Sequence, residues 1–364
     1  MISIERTEAE RFNVKIKVFG IGGGGCNALN NMVGSGLLKE LDFVAVNTDL
    51  QVLDQNKARH KLAIGSKLTG GLGAGGNPEI GEKAATEDKE KIREMIEGSS
   101  LLFLTTGMGG GTGTGATPVI ASLAREMGIL TVAVVTKPFE FEGKPRMENA
   151  EKGIEQVKES ADAVIVISNQ RLVLLQEGKV SFLQAFRMVD NVLLDSVRGI
   201  TELLDTTGVI NVDFSDLSKV MKTPGDVFIG MGLGVGENKA VEAAQKAVEC
   251  PLMEDVTMEG ADEILVNVTT GQDFEMGEVE RIVKVIQQKT NGYGNLKYGV
   301  VYDRDMSEEI KVTVIAKGFR ENKKQGINKL KEMAGTENNL DRLVLTNPDL
   351  PEFETPAVFR RKAD

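Results

Sequence analysis

The sequence predicts an α/β fold: a parallel-sheet domain, a long central helix, a second, smaller α/β domain and a flexible C-terminal tail. Three observations carry this. Short apolar runs rich in β-branched residues alternate with helical stretches between Val14 and Ser168, the signature of a parallel sheet covered by helices on both faces. From Ser181 the apolar positions adopt helical spacing and hold it as far as Leu204. Beyond residue 220, strand and helix patterns alternate again.

Taken in order, Val14 to Gly20 is a strand running into FGIGGGGCNALNN (19–31), and NALNNMV (27–33) reads as a helix. LDFVAVNTD (41–49) and LLFLTTG (101–107) are further strands. A helix follows at TPVIASLAREMG, with Pro118 near its first turn, where a missing N–H costs little. ILTVAVVT (129–136) and ADAVIVIS (161–168) are two more strands separated by a charged helical stretch. Ser181 and Gln184 have capping-box spacing. Phe182, Ala185, Phe186, Val189, Val192, Leu193, Val197, Ile200, Leu203 and Leu204 then line one amphipathic helix, closed by Gly208.

In the second domain DVFIGMG, EILVNVTT, NLKYGVVYD and EIKVTVIAKG are strands, and NKAVEAAQKAVE and MGEVERIVKVIQQK are helices. Residues 319–350 are a polar linker with a short helix at INKLKEMA. The closing LPEFETPAVFRRKAD regains apolar residues beside Arg360, Arg361 and Lys362, as a docking peptide does.

The chain has 364 residues, enough for two domains and a tail, and is 41% hydrophobic and 27% charged. Its net charge of −11 argues against binding nucleic acid. Cys26 and Cys250 give no disulfide framework, and the single His60 leaves no zinc set and no serine-type triad. Residues 1–13 are charged rather than signal-like, and no apolar run is long enough to span a membrane. A cytoplasmic chain without direct membrane insertion is expected.

Gly20, Gly22 and Gly25 fit G-x-G-x-x-G, and Asp49 follows the second strand where a ribose-binding acid belongs. Read alone, that describes an NAD-dependent oxidoreductase. Two further glycine loops, GMGGGTGTGATP (107–118) and TGGLGAGGNPEIGE (69–82), argue otherwise. Three loops around one sheet edge suit a triphosphate better than a pyrophosphate. None carries G-K-[ST], so the charge would be met by backbone dipoles, threonine hydroxyls and a bound Mg²⁺.

GGGTGTG is similar to the phosphate-loop signature of the tubulin/FtsZ superfamily of GTPases. GIGGGGCNAL, NTDLQVL, GLGAGGNPEIG, GMGGGTGTGATPVIA, PFEFEGKPRM and GVINVDFSD follow in that family's order. The chain resembles its bacterial cell-division branch from about residue 13 to 318 and again in the final peptide. The resemblance implies an N-terminal extension (1–12), a GTP-binding domain (13–180), a connecting helix (181–207) and a GTPase-activating domain (208–318). A linker (319–350) and a partner-binding peptide (351–364) complete it.

The resemblance also implies a GTP or GDP site made by Gly22, Gly23, Gly24, Asn27, Gly109, Gly110, Gly111, Thr112, Gly113, Thr114, Glu142, Arg146, Asn169, Phe186 and Asp190. Mg²⁺ would be held through the phosphates, with no metal site built by the protein. A carboxylate accepts from both N1–H and the exocyclic amine of guanine, which suits Asp190. Phe186, one turn earlier, could stack on the base or belong to the core. Read alone, Asp190 is a solvated face residue, Glu142 and Arg146 a surface salt bridge, and DFSD a helix N-cap.

Asn211, Asp213 and Asp216 are the implied catalytic residues. Fifteen helical rises, about 23 Å, separate Asp190 from Asp205. If Asp190 touches the base, these acids serve a neighbouring subunit's nucleotide, which requires head-to-tail stacking into a homopolymer. The resemblance further implies a division ring at midcell on the inner face of the cell membrane, and membrane-tethering adaptors bound by the C-terminal peptide. A tubulin-like filament serving cell shape or plasmid movement is the alternative. Cys26 replaces a usual small residue and is expected to set a thiol beside the phosphates, and Gly70 stands where relatives carry Lys or Arg.

Overall fold

A computed structural model describes residues 14–38, 40–174, 180–205, 210, 212–223, 225–249, 258–292, 294–303, 306 and 308–318. The expected linker helix, the C-terminal peptide, Gly208 and Asn211 lie outside the described residues.

The first sheet has six parallel strands: β1 (Ile16–Ile21), β2 (Asp42–Asn47), β3 (His60–Ala63), β4 (Leu101–Gly107), β5 (Leu130–Lys137) and β6 (Ala163–Ser168). They lie in the order β3-β2-β1-β4-β5-β6. Successive side chains enter two different cores, as period-two geometry requires. Ile16 and Val18 of β1, with Leu101 and Phe103 of β4, pack on one face; Phe19 and Ile21, with Leu102 and Leu104, pack on the other.

The connecting helices are α1 (Gly22–Ser35), α2 (Leu50–Asp54), α3 (Ser66–Thr69), α4 (Pro78–Glu87), α5 (Lys89–Ile96), α6 (Thr112–Glu126), α7 (Lys144–Ser160) and α8 (Asn169–Leu174). Strand β3 and helices α2 to α5 were not individually read from the sequence, because each is short or only weakly amphipathic. His60 sits in β3 and faces Asp42 at 3.3 Å. Helix α6 starts at Thr112, so Pro118 lies inside it and not in its first turn. The glycines and threonines expected in a loop are already helical from Thr112 onward, and Thr117 Oγ1 donates to the Gly113 carbonyl at 2.6 Å.

Helix α9 (Phe182–Asp205) opens with the expected capping box. The Ser181 N–H donates to Gln184 Oε1 at 2.9 Å, and the Gln184 N–H donates to Ser181 Oγ at 3.3 Å. Its buried side chains Ala185, Val189, Leu193, Val197, Ile200 and Leu203 follow the predicted stripe, whereas Phe182 is exposed. Helix α10 (Phe214–Lys222) precedes a mixed four-stranded sheet of β7 (Val227–Val235), β8 (Glu263–Thr270), β9 (Asn295–Tyr302) and β10 (Glu309–Lys317). The order is β7-β10-β8-β9, with helices α11 (Lys239–Val248) and α12 (Met276–Lys289). The core on the α9 side of the first sheet is continuous with the core of the second, through Leu193, Val197 and Ile200. The central helix is therefore an internal wall shared by both domains.

Candidate functional site

Adjacent strands β1 and β4 mark the point where the order of the parallel sheet reverses. Connections leave to opposite sides there, opening a crevice at the carboxyl ends of the strands. This order is also that of dinucleotide-binding folds, so topology alone does not choose the ligand.

The three glycine loops meet at this crevice. Gly22 has φ +70°, and a Cβ on it would lie 2.8 Å from the Gly113 nitrogen. A Cβ on Gly111 would lie 2.8 Å from Ala74 Cβ and 2.9 Å from the Asn77 nitrogen. The loops can approach this closely only without side chains at those positions. At Gly23 and Gly110 an added Cβ meets nothing within 4 Å, so there the backbone faces open space.

Helices α1 and α6 begin at the crevice without any side-chain cap, their N-cap positions being Ile21 and Gly111. Helix α2 is capped by Asp49, α4 by Asn77 and α10 by Asp213. The first-turn N–H groups of α1 and α6 are thus left for a ligand, and their dipoles favour an anion. Asp49 accepts from the Gln51 and Val52 N–H groups at 2.9 and 3.4 Å, so the acid suggestive of NAD is engaged as a cap.

Of the threonines, Thr112 shares a hydrogen bond with Thr48 at 2.7 Å. Thr114 is buried and accepts from the Gly109 N–H at 2.8 Å, which shapes the loop from within. Arg146 lies against this loop, since a Cβ on Gly109 would be 2.6 Å from its carbonyl oxygen and 2.7 Å from its Cγ. Its Nε pairs with Glu142 Oε2 at 3.2 Å, and Glu142 Oε1 accepts from the Phe139 N–H at 2.9 Å. The pair thus folds the β5–α7 turn and holds the guanidinium beside the phosphate loop.

Cys26 corrects an expectation. It is fully buried, its Sγ lying 3.6 Å from the Gly20 carbonyl oxygen and 3.8 Å from Asn47 Nδ2. Burial pushes the thiol up to about 11. The side chain points into the core because position 26 falls on the inner face of α1, so it does not stand beside the phosphates.

At the other end of the crevice Asn169 follows β6, and its Oδ1 is buried without a hydrogen-bond partner. An orphaned acceptor of this kind fits a donor on a ligand. Phe186 packs edge-on against Phe139 at 5.2 Å and beside Phe182 at 4.9 Å; Phe139 stacks on Phe141 at 5.1 Å. Phe141 and Phe182 are 66% and 65% exposed, leaving aromatic surface for a base to cover. Asp190 lies one turn beyond Phe186, and burial raises its carboxyl to about 6. Asn31 Nδ2 donates to Asn191 Oδ1 at 2.9 Å, holding α1 and α9 together one turn beyond the exposed Asn27.

Asp213 and Asp216 are not brought to this crevice. They lie at the start of α10, after the end of α9, whose 24 residues span roughly 36 Å. Asp213 Oδ1 accepts from Ser215 Oγ at 2.7 Å and from the Asp216 N–H at 2.8 Å. Those bonds, the Ser215 one first, hold its carboxyl below the usual range. The cap reading of DFSD is therefore correct locally and leaves both acids at the protein surface.

Sequence reasoning missed Phe139, Phe141 and Phe182 as a group, since their assembly joins the β5–α7 turn to α9 across a long stretch of chain. It also missed Lys297, whose Nζ contacts Asp216 Oδ1 from β9. Among the described residues no group of three or more His, Cys, Asp or Glu side chains could hold a metal ion. No described helix is long and apolar enough to cross a membrane.

Comparison with known proteins agrees with this geometry. Residues 15–176 match the GTPase domain of the Tubulin/FtsZ family, and residues 225–320 match the C-terminal domain of the FtsZ family. The chain is 48% identical over 304 residues to the cell division protein FtsZ of Pseudomonas aeruginosa, covering 84% of this chain and 77% of that one. The Pseudomonas putida protein of the same name is also 48% identical over 304 residues, with 84% and 76% covered. The solved empty FtsZ dimer of M. jannaschii superposes with a TM-score of 0.77 at 39% identity, covering 85% of this chain and 90% of that one.

Proposed function

The chain belongs to the tubulin/FtsZ family, and from that premise we propose that it is the GTP-hydrolysing cytoskeletal protein of bacterial cell division, polymerising head to tail with each active site shared between two subunits. The observation that carries the reading is the pair of uncapped helix N-termini, α1 and α6, at the β1/β4 crossover. They offer backbone donors and dipoles to a polyphosphate without a P-loop lysine. The β- and γ-phosphates lie over Gly22 to Gly24 and Gly109 to Gly113, flanked by Arg146. The guanine sits by Phe186, with its N1–H and amine donated to Asp190 and with Asn27 and Asn169 on its remaining edge. Mg²⁺ would be held through the phosphates, and when bound it would supply charge neutralisation for the transferred group.

One subunit supplies the nucleotide, and the next supplies Asn211, Asp213 and Asp216 to orient the attacking water. A carboxylate in reach of that water accepts its proton as the water oxygen bonds to the γ-phosphorus and the bond from that phosphorus to the β–γ bridging oxygen breaks, leaving GDP and inorganic phosphate. Such a heterologous contact repeats without closing and yields filaments. Hydrolysis is then confined to assembled protein, and disassembly follows loss of the γ-phosphate. The domain limits, the assembly at midcell on the inner face of the membrane and the binding of tethering adaptors by residues 351–364 belong to the same proposal.

Electron microscopy of the purified protein with GTP and with GDP is the test. Filaments with GTP and few with GDP are expected. GTP-independent assembly, or binding of NADH in place of GTP, would overturn the reading.

A further inference from the structure

We propose that Lys297 is a positioning residue for the shared active site, fixing the carboxylate of Asp216 in the orientation in which it meets the neighbouring subunit's nucleotide. The inference rests on the shared-site reading above. Strand β9 lies at the edge of the second sheet and carries Lys297 and Gly299 on one face. Gly299 leaves room for the chain entering α10: a Cβ there would be 3.1 Å from Val212 Cγ2 and 3.2 Å from the Ile210 carbonyl oxygen. Two residues earlier on the same face, Lys297 reaches the first turn of α10, and its Nζ contacts Asp216 Oδ1.

Lys219, on the same helix as Asp216, is engaged elsewhere. It pairs with Glu263 Oε1 at 2.6 Å, and Glu263 Oε2 accepts from Asn295 Nδ2 at 3.0 Å. Asp213 is oriented by Ser215 and by the Asp216 backbone, so each acid has one oxygen fixed by a named donor. The two fixings differ in kind. That of Asp213 is local and legible as a cap, whereas that of Asp216 comes from across the sheet, 81 residues away in sequence.

Exposure decides what the pair is for. The Lys297 and Asp216 side chains are 44% and 21% exposed, and an ion pair so open to water adds little to folding stability. Its effect falls on the chemistry of the acid. Two carboxylates approaching a polyphosphate repel it, and a lysine on one of them reduces that repulsion while holding one carboxylate oxygen in a fixed direction. The Lys297 ammonium is correspondingly held charged by Asp216 first, and by Asp213 and Glu263.

The test uses the full chain with Lys297→Met and Lys297→Arg. Turnover is measured per sedimented subunit, with GTP affinity measured separately. Lys297→Met is expected to bind GTP like wild type and to lose roughly tenfold in turnover. Lys297→Arg is expected to restore turnover. Because assembly itself could fail, Lys297→Met is also doped into wild-type filaments, where turnover should fall in proportion to the doped fraction. Wild-type turnover in Lys297→Met, pure or doped, overturns the inference. Asp213→Ala and Asp216→Ala separate the two levels. If they lose hydrolysis while Lys297→Met keeps it, only the role of Lys297 fails; if they hydrolyse normally, the shared site itself fails.

Discussion

Asn31 Nδ2 donates to Asn191 Oδ1 at 2.9 Å, joining the helix that begins at the glycine loop to the helix that carries Asp190. That hydrogen bond adds a polar tie to the packing of the two helices that flank the crevice. Removing it with Asn31→Ala is expected to weaken GTP and GDP equally, by about 1 kcal/mol. Isothermal titration with each nucleotide checks this.

Asp190 is expected to decide which base is bound. Asp190→Ala should lose roughly 3 kcal/mol of GTP affinity, over a hundredfold, and lose its preference over ATP. The carboxylate must be ionised to accept both guanine donors, and burial has raised it to about 6. Guanine affinity should therefore fall as the pH drops below about 6 in the wild type and stay flat there in Asp190→Ala. Competition binding from pH 5 to 8 distinguishes the two.

Asp213→Ala and Asp216→Ala are expected to retain GTP binding and assembly and to hydrolyse roughly a hundredfold more slowly. Mixed one to one with Asp190→Ala at a GTP concentration too low to load that variant, either is expected to regain turnover above the sum of the two alone, because its loaded nucleotide site meets the intact acids of the other variant. Phosphate release from the mixture is the measurement, and no gain over the separate variants would refute sharing.

Lys317 is buried at the junction of the domains, where its Nζ donates to the Asp162 carbonyl at 2.7 Å and to the Met221 carbonyl. Desolvation lowers its amine from 10.5 to about 8. The unfolded chain therefore holds the extra proton between about pH 8 and 10.5, and folding stability gains as pH rises through that window. Thermal melts of wild type and Lys317→Met should show the wild type improving relative to the variant from pH 8 to 10.5. Parallel curves would contradict the burial.

Cys26 should resist alkylation in the native protein, since it is buried and its thiol is raised to about 11. In a Cys250→Ser background, iodoacetamide at pH 8 is expected to label the chain only after denaturant is added, and to leave GTP binding intact. Mass spectrometry gives the answer.

The strands of the first sheet were legible because burial on both faces leaves continuous apolar runs, as in LLFLTTG and ADAVIVIS. Helix α9 was legible from its stripe and its Ser181–Gln184 cap. Short elements such as α3, and the start of α6 within GGGTGTG, were not, because glycine has weak helical preference and only the packing of α6 against α4 makes that segment helical. The glycine loops predicted an anion site, and spacing along α9 predicted that, if Asp190 meets the base, one subunit cannot complete it.

The sequence by itself determined the class of fold, the lysine-free phosphate loops and the separation of Asp190 from the acids, since all three follow from local composition and helical rise. Tertiary structure alone decided which groups face the ligand. It turned Cys26 inward, engaged Asp49 and Thr114 in local bonds, assembled four phenylalanines beside Asp190 and set Lys297 on Asp216. The direction of a side chain depends on what packs against it, and those partners come from strands and helices far apart in the chain.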